Sequence, residues 1–335
     1  MQPAMTFKQR LALRAYTLAL RLLLPAILLR YWLRGRKEPG YRVAMRERLG
    51  YGPMIEPGSI WVHAVSLGET RASSALIDAL RLRRPEMRLL LTHGTATGRD
   101  AGQVLMRTGD RQSWLPLDTP GAVRRFLLRT RPAVGVLMET EIWPNLLHAA
   151  QDRGVPMVLA NARLSEKSAR RGESLAALMR PAAAAVTDVL AQTEDDAERL
   201  RAAGARKVAL SGNLKFDVRP SPALLARGKR WHQALRRPVV LAAITREGEE
   251  IELMREWGRT TGRNPFLIVV PRHPQRFDEV EALLVQHGLR VARRSSWTDM
   301  PSAEALKVDA WLGDSLGEMP QYLSLIHISE PTRPY

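Results

Sequence analysis

Apolar and polar positions divide the chain into two regimes. Leu11 to Leu33 is a Leu-rich run without an acidic residue. As a helix it would be about 35 Å long, enough to cross the hydrocarbon core of a bilayer. Arg14, Arg21 and Arg30 interrupt it, and a central Arg costs about 2.5–3.5 kcal/mol against about 0.3–0.6 returned by each Leu. Arg10, Arg14, Thr17 and Arg21, spaced 4, 3 and 4 apart, fall on one stripe of a helix. That pattern predicts a helix in the membrane interface or a shallow anchor; a true span and a soluble helix are the other readings. Pro25 should kink it. Arg34, Arg36 and Lys37 extend a basic flank that faces the cytoplasm under the positive-inside rule. The apolar stretch lacks the small-residue site of a removed signal peptide.

From Ser59 the pattern becomes apolar runs alternating with amphipathic stretches. Strands are predicted at Ile60–Val65, Arg88–Thr92, Ser113–Leu115, Ala133–Met138, Pro156–Ala160, Asp188–Gln192 and Lys207–Leu210. Helices are predicted between them, at Glu69–Arg83, Thr97–Arg107, Gly121–Arg129, Ile142–Asp152, Ser174–Ala184 and Glu194–Ala203. After Pro220–Pro222 a second series begins: strands Val239–Ala243, Phe266–Val270, Leu289–Ala292 and Val308–Leu312, with helices Glu247–Gly262 and Gln275–His287. Strands alternating with helices through short connections predict parallel sheets covered on both faces. The fold class expected is therefore α/β, with two Rossmann-like domains in tandem, the second of about four strands and then stopping. The boundaries expected are 1–37 for the anchor helix, 38–217 for the first domain, 218–322 for a partial second domain and 323–335 for a tail. Ser324–Tyr335 continues neither periodicity and reads as translated adapter sequence rather than native coding sequence.

Composition adds charge to this picture. Among 335 residues, Lys+Arg number 51 against Asp+Glu 34, a net charge of +17. Such a chain is drawn to an anionic membrane face, phosphorylated ligands or nucleic acid. A GC-rich genome, which favours Arg codons, would give the same excess. The nucleic-acid reading has nothing beyond charge, because basic blocks with interleaved aromatics are missing. There is no Cys, which excludes disulfides and zinc-finger spacing and fits a reducing compartment.

Candidate chemistry sits where strands end. In W-V-H-A-V-S-L-G-E-T (Trp61–Thr70) a strand runs into a helix start and leaves Glu69 at the carboxyl edge, where ligands bind in open α/β sheets. A carboxylate there can act as a general base; it would also suit the first turn of a helix with no chemical role. In V-L-M-E-T-E-I-W-P-N (Val136–Asn145), Glu139 and Glu141 follow an apolar strand, as a charged site or as capping and a solvated loop. S-G-N-L-K-F-D (Ser211–Asp217) carries Lys215 toward the joint, to stabilise an anion or to form a surface ion pair. P-R-H-P-Q-R (Pro271–Arg276) puts Arg272 at another carboxyl edge, for an anionic ligand or as a solvated helix-start residue. G-D-S-L-G-E-M (Gly313–Met319) is a turn opening a helix. His63, His93 and His273 show no metal-ligand spacing, and no D-x-D motif is present; the expectation is chemistry without a metal or cofactor.

Taken in order, these motifs resemble those of the Kdo (3-deoxy-D-manno-octulosonic acid) transferases of lipopolysaccharide assembly. The resemblance runs from about Leu11 to Met319. It also takes in Arg34–Lys37, Leu115–Asp118, Ala160–Ser165, Gln192–Glu194 and Thr245–Glu250. It implies a GT-B fold, two Rossmann-like domains facing a cleft, and inverting, metal-independent transfer of Kdo from CMP-Kdo to a phosphorylated lipid A precursor. It places the protein at the cytoplasmic face of the inner membrane, with no nucleic-acid partner. By the resemblance Glu69 matches the general base, and Glu139 and Lys215 match the groups that stabilise the transition state. Pro271 and Arg272, then Leu316, Gly317 and Glu318, match contacts to CMP.

Two departures stand out. Ile244 and Arg246 occupy positions where the family has a small polar residue and often a His. The family also continues past Met319 with strands and a glycine-rich phosphate-binding segment, so the donor site is expected to be incomplete and the chain inactive or nearly so. Two other functions remain in play: a GT-B transferase with another nucleotide-sugar donor, and a non-catalytic membrane-bound module that binds the lipid A precursor.

Overall fold

The computed structural model describes residues 5–217, 220–258 and 265–326. The chain divides into two compact units, Met1–Val218 and Arg219–Tyr335.

Unit one contains α1 (Phe7–Arg34), β1 (Ile60–His63), α2 (Leu67–Arg83), β2 (Leu89–His93), α3 (Ala96–Gly102), β3 (Arg111–Trp114), α4 (Pro120–Thr130) and β4 (Val134–Met138). It continues with α5 (Pro144–Asp152), β5 (Met157–Ala162), α6 (Glu166–Ser174), α7 (Ala176–Ala185), β6 (Asp188–Ala191), α8 (Glu194–Ala202) and β7 (Val208–Leu210). The strands form one parallel sheet in the order β3-β2-β1-β4-β5-β6-β7. Order reverses between β1 and β4, so their carboxyl ends flank the crevice where doubly wound sheets hold ligands. One face is covered by residues of α4, α5, α7 and α8 around Trp61, Leu137 and Leu159; the other buries Val62, Leu91 and Met138 with Ile77 of α2. At Gly135 a Cβ would lie 2.6 Å from Met157 Sδ and 2.7 Å from Trp61 Cε3. That strand position therefore accepts no side chain without displacing the core.

The Leu-rich segment forms α1, begun by a capping box between Thr6 and Gln9 and unbroken through Pro25. None of its residues is fully buried. One side is half-covered, at Gln9, Leu13, Tyr16, Leu20, Leu24, Ile27 and Tyr31. Those positions recur every three or four residues, and the helix packs by that side on α5 and α7. Tyr16 donates to Asp118 Oδ2 at 3.0 Å and Thr17 to Asn145 Oδ1 at 3.1 Å. Farther along, Tyr31 stacks on Tyr41, and the buried Arg48 guanidinium lies 3.8 Å from the Tyr31 ring centre and 3.9 Å from that of Trp114. The opposite side leaves Leu11, Leu18, Leu22, Leu29 and Leu33 exposed.

Unit two contains α9 (Pro222–Leu235), β8 (Val239–Thr245), α10 (Glu249–Trp257), β9 (Phe266–Pro271), α11 (Phe277–Gln286), β10 (Val291–Arg293), β11 (Ala310–Leu312) and α12 (Met319–Leu323). Its parallel sheet has the order β10-β11-β9-β8. Trp231, Trp297, Trp311 and Phe266 pack edge to face or tilted in its core, with ring centres 4.8–5.7 Å apart. Leu325, within the segment expected to be a tail, is fully buried in the same cluster; residues 327–335 lie outside the described residues.

Two tandem parallel α/β units are the expected fold class. Two helices were not expected. The α6 segment E-K-S-A-R-R-G-E-S has no apolar stripe to read; Ser165 begins it by accepting from Ser168 N. The α9 helix follows the prolines read as a joint, yet Gly228, Trp231 and Leu235 are buried at helical spacing. The predicted helix Glu247–Gly262 is seen as α10, ending at Trp257; residues 259–264 lie outside the described residues.

Candidate active site

In unit one the strand-to-helix turns after β1 and β4 carry the acidic residues. Ser66 caps α2 by accepting from Glu69 N at 3.3 Å. The Glu69 carboxylate folds back over the same turn, accepting from Val65 N at 2.8 Å and from Ser66 Oγ at 2.9 Å. Burial pushes its pKa up and the nearby Glu139 charge adds to that, while the hydrogen bonds from Val65 and Ser66 oppose them. The net upward shift moves Glu69 toward the range in which a carboxylate is a useful base at neutral pH.

Glu139, the first residue after β4, adopts φ +59°. Non-glycine residues seldom occupy that region unless their surroundings impose it. Its backbone N–H is held by Ala160 O at 3.0 Å. Its nearly buried carboxylate meets two cations: Oε2 accepts from Arg163 Nε at 3.1 Å, and Oε1 lies 3.4 Å from Lys215 Nζ. Lys215 arrives on a single turn of 3-10 helix, Leu214–Phe216, packed on α2. Asn161, buried and at φ +53°, fixes that turn by accepting from Leu214 N at 3.0 Å. The structure thus joins Glu139 and Lys215 as an ion pair, and Glu69 is electrostatically coupled to Glu139.

The sequence offered Glu141 beside Glu139 without a role of its own, and did not single out Arg163 or Asn161. Arg163 and Asn161 lie in A-N-A-R-L-S, a short motif with no second charged residue to mark it. Glu141 stands two positions from Glu139. Burial first, then Glu69 and Glu139, push it up to about 7, against a hydrogen bond from Trp143 Nε1 at 2.8 Å. Asp118, in the motif L-P-L-D, proves architectural. It accepts from Asn145 N at 3.0 Å and Leu146 N at 2.8 Å at the start of α5 while holding Tyr16 of α1. Burial pushes it up to about 7 as well.

In unit two the donor-side candidates fall on two neighbouring strand ends. Pro271 closes β9 and Arg272 follows it, its side chain exposed and its N–H bonded to Thr245 O at 3.0 Å. The loop after β11, which pairs with β9, carries Leu316, exposed at 74%, and Gly317 at φ +83°. Glu318 is tied down: Arg294 Nη2 donates to it at 2.9 Å, and Arg227 and Ser315 also donate to it. The neighbouring motif residue Glu250 is fully buried and takes a two-pronged bond from Arg276, at 2.9 and 3.0 Å. The motifs Thr245–Glu250 and Pro271–Arg276 are therefore joined by a buried ion pair, a framework role. Among the described residues, no group of three His, Cys, Asp or Glu side chains is arranged to hold a metal.

The family model for 3-deoxy-D-manno-octulosonic-acid transferase (kdotransferase) matches residues 43–218. The chain is 45% identical over 331 residues to the 3-deoxy-D-manno-octulosonic acid transferase of Bordetella pertussis, covering 94% of this chain and 76% of that one. It is 32% identical over 315 residues to the Haemophilus influenzae protein of the same name, covering 91% and 72%. Among solved structures, UDP-GlcNAc 2-epimerase from Neisseria meningitidis matches 79% of this chain and 74% of its own at a TM-score of 0.51 and 15% identity, a likeness of fold. The C-terminal CMP-Kdo binding domain of WaaA from Acinetobacter baumannii is 29% identical over 32% of this chain and 55% of that one, at a TM-score of 0.27.

Proposed function

The chain belongs to the 3-deoxy-D-manno-octulosonic-acid (Kdo) transferase family, glycosyltransferases of lipopolysaccharide biosynthesis, and from that premise we propose that it moves Kdo from CMP-Kdo to a phosphorylated lipid A precursor with inversion. The observation that carries the reading is the Glu69 carboxylate, raised by burial and pinned at the switch point of the sheet, with the Glu139–Lys215 pair on the strand end beside it.

In this mechanism the acceptor hydroxyl oxygen attacks the anomeric carbon of Kdo as the bond from that carbon to the CMP phosphate oxygen breaks. The hydroxyl proton passes to Glu69, and CMP leaves with the bonding electron pair. Glu139 faces the positive charge that builds on the sugar; Lys215, held in place by Glu139, offsets the negative charge that builds on the phosphate. Because CMP is a good leaving group, a base and fixed charges suffice for the chemistry. Arg272 and the Leu316–Glu318 loop are the CMP contacts in this reading, with Arg227 and Arg294 holding Glu318 in position.

The acceptor lies in a membrane. Docked along its length on unit one, α1 turns its leucine row away from the protein and keeps Arg10, Arg14 and Arg21 exposed beside it. That supports a helix lying in the interface of the anionic cytoplasmic leaflet, with Arg heads among the lipid phosphates. The test is transfer of labelled Kdo from CMP-Kdo to the lipid A precursor by the full-length protein, beside its Glu69→Gln variant. Transfer that is lost by at least a hundredfold in the variant supports the reading. Binding of both substrates without turnover would sink it in favour of a lipid-binding module, and preference for a UDP- or GDP-sugar in favour of another transferase.

A further inference from the structure

Unit one contains a cavity of about 460 Å³ between α7 and α8, beneath α6. Leu159 of β5 and Val189 of β6 line it on the sheet side. Beside Met179 and Leu200, its helical walls carry small residues where helices that face a sheet normally carry large ones: Ala169 and Gly172 of α6, Ala176 and Ala183 of α7. A packed domain fills such a space with its own side chains unless something else occupies it. The volume is that of a ligand site.

The surroundings identify what fits. The lining is predominantly aliphatic, with Glu173, Arg180 and Arg199 as its charged members and Arg180 exposed. Arg180 also lines a second hollow of about 810 Å³, bordered by Thr6, which caps α1, and by Gln9 and Leu13 of that helix. The helix we assign to the bilayer surface is therefore close by. At its sheet edge the cavity is bounded by Thr140, the residue after Glu139, and by Ile142 and Leu164. Arg180, packed against Gly204 past the end of α8, stands at the opposite end of the cavity from Thr140, whereas Arg199 lies beside Leu164 and Glu173 of α6 is the one acidic residue of the lining. A linear apolar chain seated with its polar end at the Thr140 edge would therefore have Arg199 as its nearest lining cation.

We propose that this cavity seats one saturated acyl chain of the phosphorylated lipid acceptor, with the head group held at the Glu139 edge. The inference rests on the acceptor reading above. It explains how a soluble sheet edge would register a hydroxyl of a lipid: the chain is drawn in beside the site rather than left in the bilayer, and the small residues of α6 and α7 exist to leave room for it.

The test titrates the chain with tetradecyl phosphate, octyl phosphate and inorganic phosphate by calorimetry, below micelle thresholds. Tetradecyl phosphate should bind saturably, one per chain, and at least a hundredfold tighter than octyl phosphate, because each buried methylene is worth about fourfold in affinity. Ala169→Phe and Ala176→Phe fill the cavity; each should weaken binding at least tenfold with the unfolding midpoint unchanged or raised. Leu22→Glu, on the exposed row of α1, should leave it unchanged. Equal binding by the filled variants, or no dependence on chain length, overturns the assignment. Competition by an acylated glucosamine phosphate supports the acceptor as the source of the chain; displacement only by a phospholipid overturns it. Transfer of Kdo to a deacylated acceptor at unchanged KM also overturns the assignment while leaving the transferase reading intact. Tight, cavity-dependent binding without Kdo transfer does the reverse.

Discussion

His63 turns Nε2 toward the Glu141 carboxylate, with Oε2 at 3.9 Å, while its Nδ1 is committed to Thr92 through contacts of 3.1 and 2.9 Å to the carbonyl and hydroxyl oxygens. Burial lowers the imidazole pKa to about 3 and raises that of Glu141 to about 7. A neutral ring nitrogen without another partner and a carboxyl that keeps its proton near neutrality are complementary. The relationship bears on Glu69, because Glu141 adds its charge to the same electrostatic group only once that proton is lost.

Glu141 should therefore make stability depend on pH in the direction opposite to a salt-bridged carboxylate. Its folded pKa lies above the ordinary carboxylate value, so between about 4.5 and 7 the folded chain binds a proton that the unfolded chain has released. Stability contributed by this group is present below that window and is lost as pH rises through about 7. Glu141→Gln keeps the uncharged form at every pH. Denaturant midpoints should show the variant more stable than the parent at pH 8, by about 1–3 kcal/mol, and little different at pH 5. A variant less stable at pH 8 would mean that Glu141 is held ionised.

The Glu139 pair predicts a loss of rate without a loss of fold. Glu139→Gln keeps the shape and the contact with Arg163 but removes the charge that orients Lys215. Transfer should fall by roughly 10²–10³, the size expected when one fixed electrostatic partner of a transition state is removed. Lys215→Met should fall by a similar factor, and the double variant by less than the product, since the two act as one unit. Steady-state kinetics of the four forms measures this; multiplicative losses would show that the pair is not coupled.

What the sequence made legible follows from which signals are local. The parallel sheets were readable because V-G-V-L-M and F-L-I-V-V are apolar throughout, as strands covered on both faces must be. Glu69 and Glu139 could be placed at strand ends from the same runs. Arg163 and Asn161 could not, because their contacts lie 24 and 53 residues away, and Glu141, though legible beside Glu139, owes its perturbation to burial that the sequence does not display. The polar α6 helix escaped notice for a related reason: it is set by a cap, and its few small residues face the cavity. Arg276 and Glu250 lie in motifs that were readable, but their bond to each other, 26 residues apart, was not.

Ile244 carries a cost that a single substitution can recover. It sits at φ +59°, where the β8–β9 register shifts, and its side chain is half exposed. A β-branched residue is poorly suited to the left-handed region, whereas Asn tolerates it. Little packing is lost on replacing it, so Ile244→Asn should stabilise unit two by about 1 kcal/mol. Thermal or denaturant unfolding followed by the tryptophan cluster around Trp231 would measure it. An unchanged or lowered midpoint would show that the side chain contributes contacts that offset the strain.

The course of α1 predicts that both of its ends stay on one side of the bilayer. Contacts to unit one begin near Gln9, include Tyr16 and Thr17, and persist to Tyr31. A helix inserted across the membrane could not keep them without carrying the sheet domain into the hydrocarbon, where polar backbone and side chains have no water. The chain has no Cys, so Lys8→Cys and Lys37→Cys each introduce a single thiol, one beside either end of the helix. In sealed vesicles with the protein added from outside, a membrane-impermeant maleimide should label both at similar rates. Salt should release the wild-type chain from anionic vesicles only in part, since the leucine row as well as the arginines binds. Leu18→Glu with Leu29→Glu should make that release complete. Protection of the thiol in the Lys8→Cys variant, with that of the Lys37→Cys variant labelled, would establish a span, and α1 would then have to leave its groove on unit one when it enters the bilayer.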